Sequence, residues 1–336
     1  MAVYSYPTSM ELREIEQDKI PLLSLADDPI FQFFPIEEIE DWYVSWTQQD
    51  NYTGLQQVRG INGAFPRVSA RGGKRFVMEP GVYGEYANLD ERTLSERARY
   101  AGAFNEPIDI DDLVAVEQDN LLERRLSRIR WILWTLATSG TFSVADADGA
   151  ILHTDSYTMQ VFTAGIPWST SATAVPLQNF RAARLLARGQ SADLGRKATA
   201  FMNTITANRL FSNTNANDLF GWRLDNSTAM NNAGVNTILA GQNLPSIVEY
   251  DGGYRDDTNA FVPFIPDGKV VVFGARDSGA SLGAYKMTRN ANNERGAPGP
   301  YTEVLETKAP KSLQVVDGHN GGPAIYYPGS IVIMNV

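Results

Sequence analysis

Apolar positions in this chain change their spacing from segment to segment, and the spacing predicts the elements. The clearest helix runs from about Asp111 to Ser139 within IDIDDLVAVEQDNLLERRLSRIRWILWTLATSG. There Leu122, Leu126, Ile129, Leu133 and Leu136 recur at steps of four and three, drawing one apolar stripe along a helical face. Asp109 and Asp111 are cap candidates and Gly140 is the stop. Acids fill its first half and Arg124, Arg125, Arg128 and Arg130 its second, as the helix dipole favours. At 1.5 Å per residue such a helix is roughly 40 Å long, the length of a structural spine.

Elsewhere the period shortens. From Asn51 to Tyr86 short alternating runs are broken by glycines, and the pair Gly72 and Gly73 predicts a tight hairpin between Arg67–Arg71 and Lys74–Met78. This stretch is poor in apolar residues, so it is expected to project from the body. Strands joined at Asp148-Gly149 follow the long helix. A second helical zone spans PLQNFRAARLLARGQ to LGRKATAFMNTITANRLF, and an Asn-rich stretch runs from Asn213 to Asn243. GKVVVFG and the closing KSLQVVDGHNGGPAIYYPGSIVIMNV read as strands and turns, and no fixed-period repeat is visible.

Composition narrows the chemistry. The 336 residues allow about two domains, or one with a large insertion. A net charge of −10 argues against a protein that grips phosphates, and the absence of cysteine excludes disulfides, thiolate catalysis and Cys-based metal sites. The N-terminus does not read as a secretory signal, and no segment reaches the ~18 consecutive apolar residues of a membrane span, so a soluble protein is expected.

Charge is also segregated. Residues 1–50 carry eleven acids against Arg13 and Lys19, interrupted by prolines and dotted with aromatics. This reads either as an extended arm lying on its own body or on a neighbouring subunit, or as a peripheral strand and short helix. Arg59, Arg67, Arg71, Lys74 and Arg75 form a run of five bases with no intervening acid. Lacking interleaved stacking aromatics, the run is a poor single-strand nucleic-acid site, and a contact with acidic surface on another subunit suits it better.

Enzymatic motifs are weak. Gly279-Ala280-Ser281-Leu282-Gly283 fits a nucleophile elbow, and Asp317 and His319 follow in hydrolase order, but the sequence after Ser281 is loop-like instead of helical. Gly72-Gly73-Lys74 lacks the spacing of a phosphate loop, Asp146–Gly149 is a turn instead of a calcium loop, and His153 with Asp155 has no second histidine nearby. No catalytic, cofactor or metal site is expected.

The order of elements (acidic arm, projecting basic hairpin, long spine helix, mixed middle, terminal strands) resembles the tailed-phage major capsid proteins of α+β, HK-97-like fold. Likeness in detail is concentrated from Val248 onward. VEYDGGYRDDTNAFVPFIPDGKVVV and the closing YYPGSIVIMNV resemble segments of the lambda-type capsid protein E family. The resemblance implies an N-terminal arm over 1–50, an extended loop over 51–90, a peripheral domain from 91–164 and 301–336, and an axial domain over 165–300. It further implies assembly in the host cytoplasm into hexamers and pentamers of an icosahedral virion head enclosing double-stranded DNA, which lies nearby without sequence-specific binding. Scaffolding protein, a portal and a decoration protein are the implied partners. Lys74 sits where some relatives carry a crosslinking lysine, but the lambda-type branch that the chain resembles implies a non-crosslinked shell reinforced by a decoration protein, and no catalytic glutamate or acceptor asparagine is matched here. An encapsulin-like nanocompartment and a serine hydrolase using Ser281 are the alternatives.

Overall fold

A computed structural model describes residues 9–19, 27–49, 55–61, 63–68, 72–90, 92, 110–145, 150–190, 192–216, 232–256, 258–276, 281–293, 296–308 and 311–336. The long helix, α3 (Ile110–Ser139), matches its predicted limits closely. It ends as predicted at Gly140, whose φ of +75° lets its amide donate back to the Leu136 carbonyl at 2.8 Å. Asp111 falls inside the first turn, and Asp109 lies outside the described residues. All five stripe residues are buried.

Two five-stranded sheets flank this helix. The first is built on the 15-residue strand β15 (Lys311–Ile325), which pairs antiparallel with β4 (Gly81–Leu89), β14 (Tyr301–Lys308) and β13 (Gly283–Met287). β1 (Ile36–Glu38) adds a parallel edge to β13. The second sheet has the order β7 (Gln160–Thr163), β16 (Ile331–Asn335), β12 (Lys269–Phe273), β8 (Thr199–Met202), β9 (Ser246–Glu249).

The second sheet explains why its strands are continuously apolar. Val271, Phe273, Phe201, Ile331 and Ile333 face one core, shared with Ile129, Leu133 and Leu136 of α3. Val270, Val272, Ala200, Met202, Val332 and Met334 face a second core. That core is completed by α4 (Pro176–Leu186), α5 (Thr204–Phe211) and α6 (Asn232–Gly241). A sheet covered on both faces wants apolar residues at every position. The first half of α3 supplies Leu113, Val114 and Leu121 to a third, smaller core with Leu89, Leu313 and Val315 of the first sheet.

Several expectations are corrected by these pairings. The segment TAFM, placed within a helical zone, is strand β8, because it hydrogen-bonds to β12 on one side and β9 on the other. A short apolar run has no period of its own to distinguish strand from helix. The Asn-rich stretch contains α6. Within residues 301–336, β14 and β15 lie in the first sheet and β16 in the second against β12 and β7, pairings that by themselves neither support nor overturn the expected domain limits. Strands β5 (Thr141–Ala145) and β6 (Ile151–Ser156) pair as expected; the Asp148-Gly149 turn between them lies outside the described residues.

The described part of the acidic N-terminal segment lies on its own chain. Helix α1 (Ser9–Lys19) packs on β14, and the short helix α2 (Ile30–Phe33) packs on α3. Its acids are drawn there by arginines of α3. Asp28, buried, accepts from Arg130 Nε at 2.6 Å, from the Tyr250 hydroxyl at 2.5 Å and from Trp134 Nε1 at 3.3 Å. Its other role is local, since Asp28 Oδ1 accepts the Ile30 amide at 3.0 Å at the start of α2.

Candidate interaction surface

The glycine-broken region folds differently from its prediction, and the difference creates the surface. Strand β3 (Gly73–Met78) pairs with β2 (Val44–Gln49), from Val44 opposite Met78 to Gln49 opposite Gly73. Among the described residues the partner of 73–78 is thus β2, not the 67–71 arm of the expected hairpin, of which 69–71 lie outside the described residues. The ribbon's two strands come from either side of a long loop, and the cross-strand partners of 73–78 lie about thirty residues upstream, beyond the reach of local turn chemistry.

One end of the ribbon is anchored and the other is not. Val44, Trp46 and Met78 are buried in the core shared with α3. Trp46 stacks on Phe76 at 5.5 Å and on Tyr157 at 5.9 Å, and Lys286 Nζ donates to the Ser45 carbonyl at 2.9 Å. Away from this root the side chains face water. Leu55, Val58 and Ile61 are 96%, 96% and 97% exposed, and Phe65 and Val68 are also exposed. A folded chain that leaves five large apolar side chains of one loop in water has a surface unused by its own core.

Four of the five predicted bases are described. Arg59 donates to the Gly63 carbonyl at 3.1 Å and lies over the Phe65 ring at 3.9 Å, Arg67 is exposed, and Lys74 and Arg75 stand on β3 opposite Gln48 and Thr47. Arg71 lies outside the described residues. Among the described residues none of these four cations makes an ion pair, whereas Arg13, Lys19, Arg124, Arg125 and Arg130 all do. Sequence reasoning located the bases but missed the apolar residues interleaved with them. Their signal was an apolar content too sparse for either period.

The other motifs do not assemble. Ser281 leads into strand β13 instead of a helix. Asp317 is bound to Arg125, and His319 Nε2 is 2.9 Å from the Tyr285 hydroxyl. His319 also stacks on Tyr83, and burial, with Arg125 and Arg128 nearby, lowers its imidazole to about 3, so it is neutral over the physiological range. A neutral, tyrosine-bonded histidine two residues from an arginine-bound aspartate has no free carboxylate to orient it as a base. Gly73 and Lys74 lie in an extended strand with no phosphate cradle. His153 and Asp155 pair at 2.9 Å on the β6 hairpin, and among the described residues no group of three or more metal-ligating side chains occurs. Among these residues no helix is long and apolar enough to cross a membrane.

The comparisons agree with this architecture. No curated protein matches the chain. Its structure is similar to that of a protein described as a prophage capsid protein from Escherichia coli CFT073, at a TM-score of 0.63 and 12% identity, covering 99% of this chain and 100% of that one. It is similar to a phage-related protein from Bordetella bronchiseptica RB50, at 0.60 and 10% identity over 96% of each chain. It is also similar to the capsid of the native GTA particle, at 0.52 and 11% identity over 91% and 88%. These likenesses give the α+β, HK-97-like fold, and neither the nanocompartment nor the hydrolase alternative gains support from them. The family model of phage major capsid protein E matches residues 32–316, nearly the whole body, the ribbon and α3 included, and this chain therefore belongs to that family as a subunit of the virion's shell.

Proposed function

We propose that this subunit builds its shell as hexamers and pentamers of an icosahedral head around double-stranded DNA, with the ribbon as an intersubunit clasp. One observation carries the reading: the described loop residues 55–61 and 63–68 extend from a firmly buried root with their large apolar side chains exposed, and among the described residues Arg59, Arg67, Lys74 and Arg75 make no ion pair. Desolvating Leu55, Val58 and Ile61 on a neighbour supplies affinity, and Arg59, Arg67, Arg71, Lys74 and Arg75 supply orientation against acidic surface, consistent with a net charge of −10. The first sheet with α3 corresponds to a peripheral domain, and the second sheet with α4–α6 to an axial domain. The role is architectural rather than enzymatic. An acidic container holds DNA without gripping it, because phosphate affinity requires clustered cations facing the cargo. Scaffolding protein, a portal and a decoration protein are the expected partners, with assembly in the host cytoplasm.

Negative-stain microscopy with size-exclusion light scattering tests this directly. Wild-type protein, alone or with its genomic neighbours, is expected to give rings or closed shells, and the variant with Arg67, Lys74 and Arg75 all changed to Glu is expected to remain unassembled. Shells formed equally well by that variant, with unchanged salt dependence, would remove the clasp from the proposal, and a wild-type protein that stays monomeric would count against hexamer and pentamer assembly.

A further inference from the structure

Helix α1 is seated through an unusual charge cluster. Glu16 of α1, Arg125 of α3 and Asp317 of β15 meet with side chains only 2%, 3% and 5% exposed. Arg125 Nη2 lies 2.7 Å from Glu16 Oε2, and Arg125 Nη1 contacts Asp317 Oδ1. Thr302 of β14 closes the cluster, its hydroxyl donating to Glu16 Oε1 and lying 3.3 Å from Asp317 Oδ1. Gln118 Nε2 donates to the Leu12 carbonyl at 2.9 Å and lies 3.4 Å from Glu16 Oε1. Two carboxylates thus share one guanidinium in a space closed to water. With both ionised the cluster carries a net charge of −1, which a low-dielectric site disfavours; with one protonated it is neutral.

We propose that this cluster is a proton-dependent latch on the N-terminal helix: one proton held on Asp317 balances the charge and seats α1, and loss of that proton loosens the helix by favouring the exit of Glu16 into water. The inference concerns the single protomer and goes beyond the shell-building role.

Asp317 is the better holder of the proton. Burial lifts its carboxyl to about 6; Arg125 pulls it back, and Glu16 adds to the rise. Arg125 stays charged, since Asp317 and Glu16 together outweigh the effect of its burial. Glu85 of β4, opposite Asp317 in register, is bound by Arg124, whose hydrogen bond lowers its carboxyl, so it does not compete for the proton. His319, on the same face of β15, is neutral down to about pH 3. The other pairs of α1, Arg13 with Glu38 and Lys19 with Asp119, are solvent-accessible. The sign then follows. A seated Asp317 binds its proton more tightly than one open to water, whose ordinary value is 3.8, so seating weakens as pH rises through the interval from about 4 to 6 and is weakest above it.

Hydrogen exchange of the unassembled full-length protein tests the latch. Protection of the α1 amides, corrected for the intrinsic pH dependence of exchange and referred to the last turns of α3, is expected to fall about tenfold from pH 5 to pH 7.5. The reference segment removes global effects such as protonation of His319. In Asp317→Asn, and independently in Glu16→Gln, the cluster has one carboxylate for one guanidinium, so α1 is expected to stay protected equally at both pH values. Glu16→Gln decides the matter if Asp317→Asn does not fold. Equal wild-type protection of α1 at pH 5 and 7.5, or a pH dependence surviving in a folded variant, would overturn the latch and leave the cluster a static ion pair.

Discussion

The second sheet and the ribbon both contain apolar strands, yet they use them oppositely. In β12 and β16 every apolar side chain is consumed, alternating between the core of α3 and that of α4–α6. In the ribbon only the root, Val44, Trp46 and Met78, is consumed, and Leu55, Val58 and Ile61 stay in water. The sheet is where the monomer's apolar area is consumed, and the ribbon with its loop is where apolar area is left in water, as the proposed clasp requires. Damage to the first should unfold the protomer, whereas damage to the second should leave the protomer intact and change only its assembly.

The largest effect that would sharpen this contrast belongs to Phe273, fully buried and ringed by Phe33, Phe34, Trp134 and Phe201. Phe273→Ala is expected to cost about 3–5 kcal/mol in denaturant unfolding of the unassembled protein. Close behind, Arg130→Met leaves Asp28 buried with its cation gone, an expected loss of about 3–5 kcal/mol unless a proton replaces the arginine. That loss should shrink on acidification, which denaturant curves at two pH values would reveal.

A smaller effect is expected at His319. Its folded pKa, depressed from 6.5 to about 3, means that the unfolded chain binds a proton which the folded chain refuses, so its contribution is full above 6.5 and is lost as pH falls. His319→Gln removes this acid-side loss. The stability of the variant relative to wild type should rise by about 2 kcal/mol between pH 7.5 and pH 5. Taking the difference cancels the opposite linkage of Asp317. An unchanged difference would mean that the imidazole is protonated within the fold.

The smallest stability effect belongs to the ribbon. Changing Arg67, Lys74 and Arg75 to Glu is expected to change the unfolding free energy by no more than about 0.5 kcal/mol. Phe76→Ala, which removes the stack on Trp46 at the root, should cost about 1 kcal/mol. A large loss from the triple charge reversal would break the comparison, because it would show those bases serving their own chain.

The sequence alone determined α3 almost to the residue, since a single stripe of leucine and isoleucine with a glycine stop is a local signal that needs no partner. It also marked the basic loop as projecting, and the family resemblance rested on the order of elements along the chain, with residue-level likeness concentrated from Val248 onward. What it could not reach were pairings between distant residues. The partner of β3, the split of β14 and β15 from β16, and strand β8 inside a helix-like stretch all depend on which strands lie alongside. The joining of Glu16, Arg125 and Asp317 is of the same kind. Periodicity reports which face of an element is apolar; only the tertiary structure decides what that face meets, because contact between residues hundreds of positions apart is set by packing of whole elements and leaves no spacing in the chain.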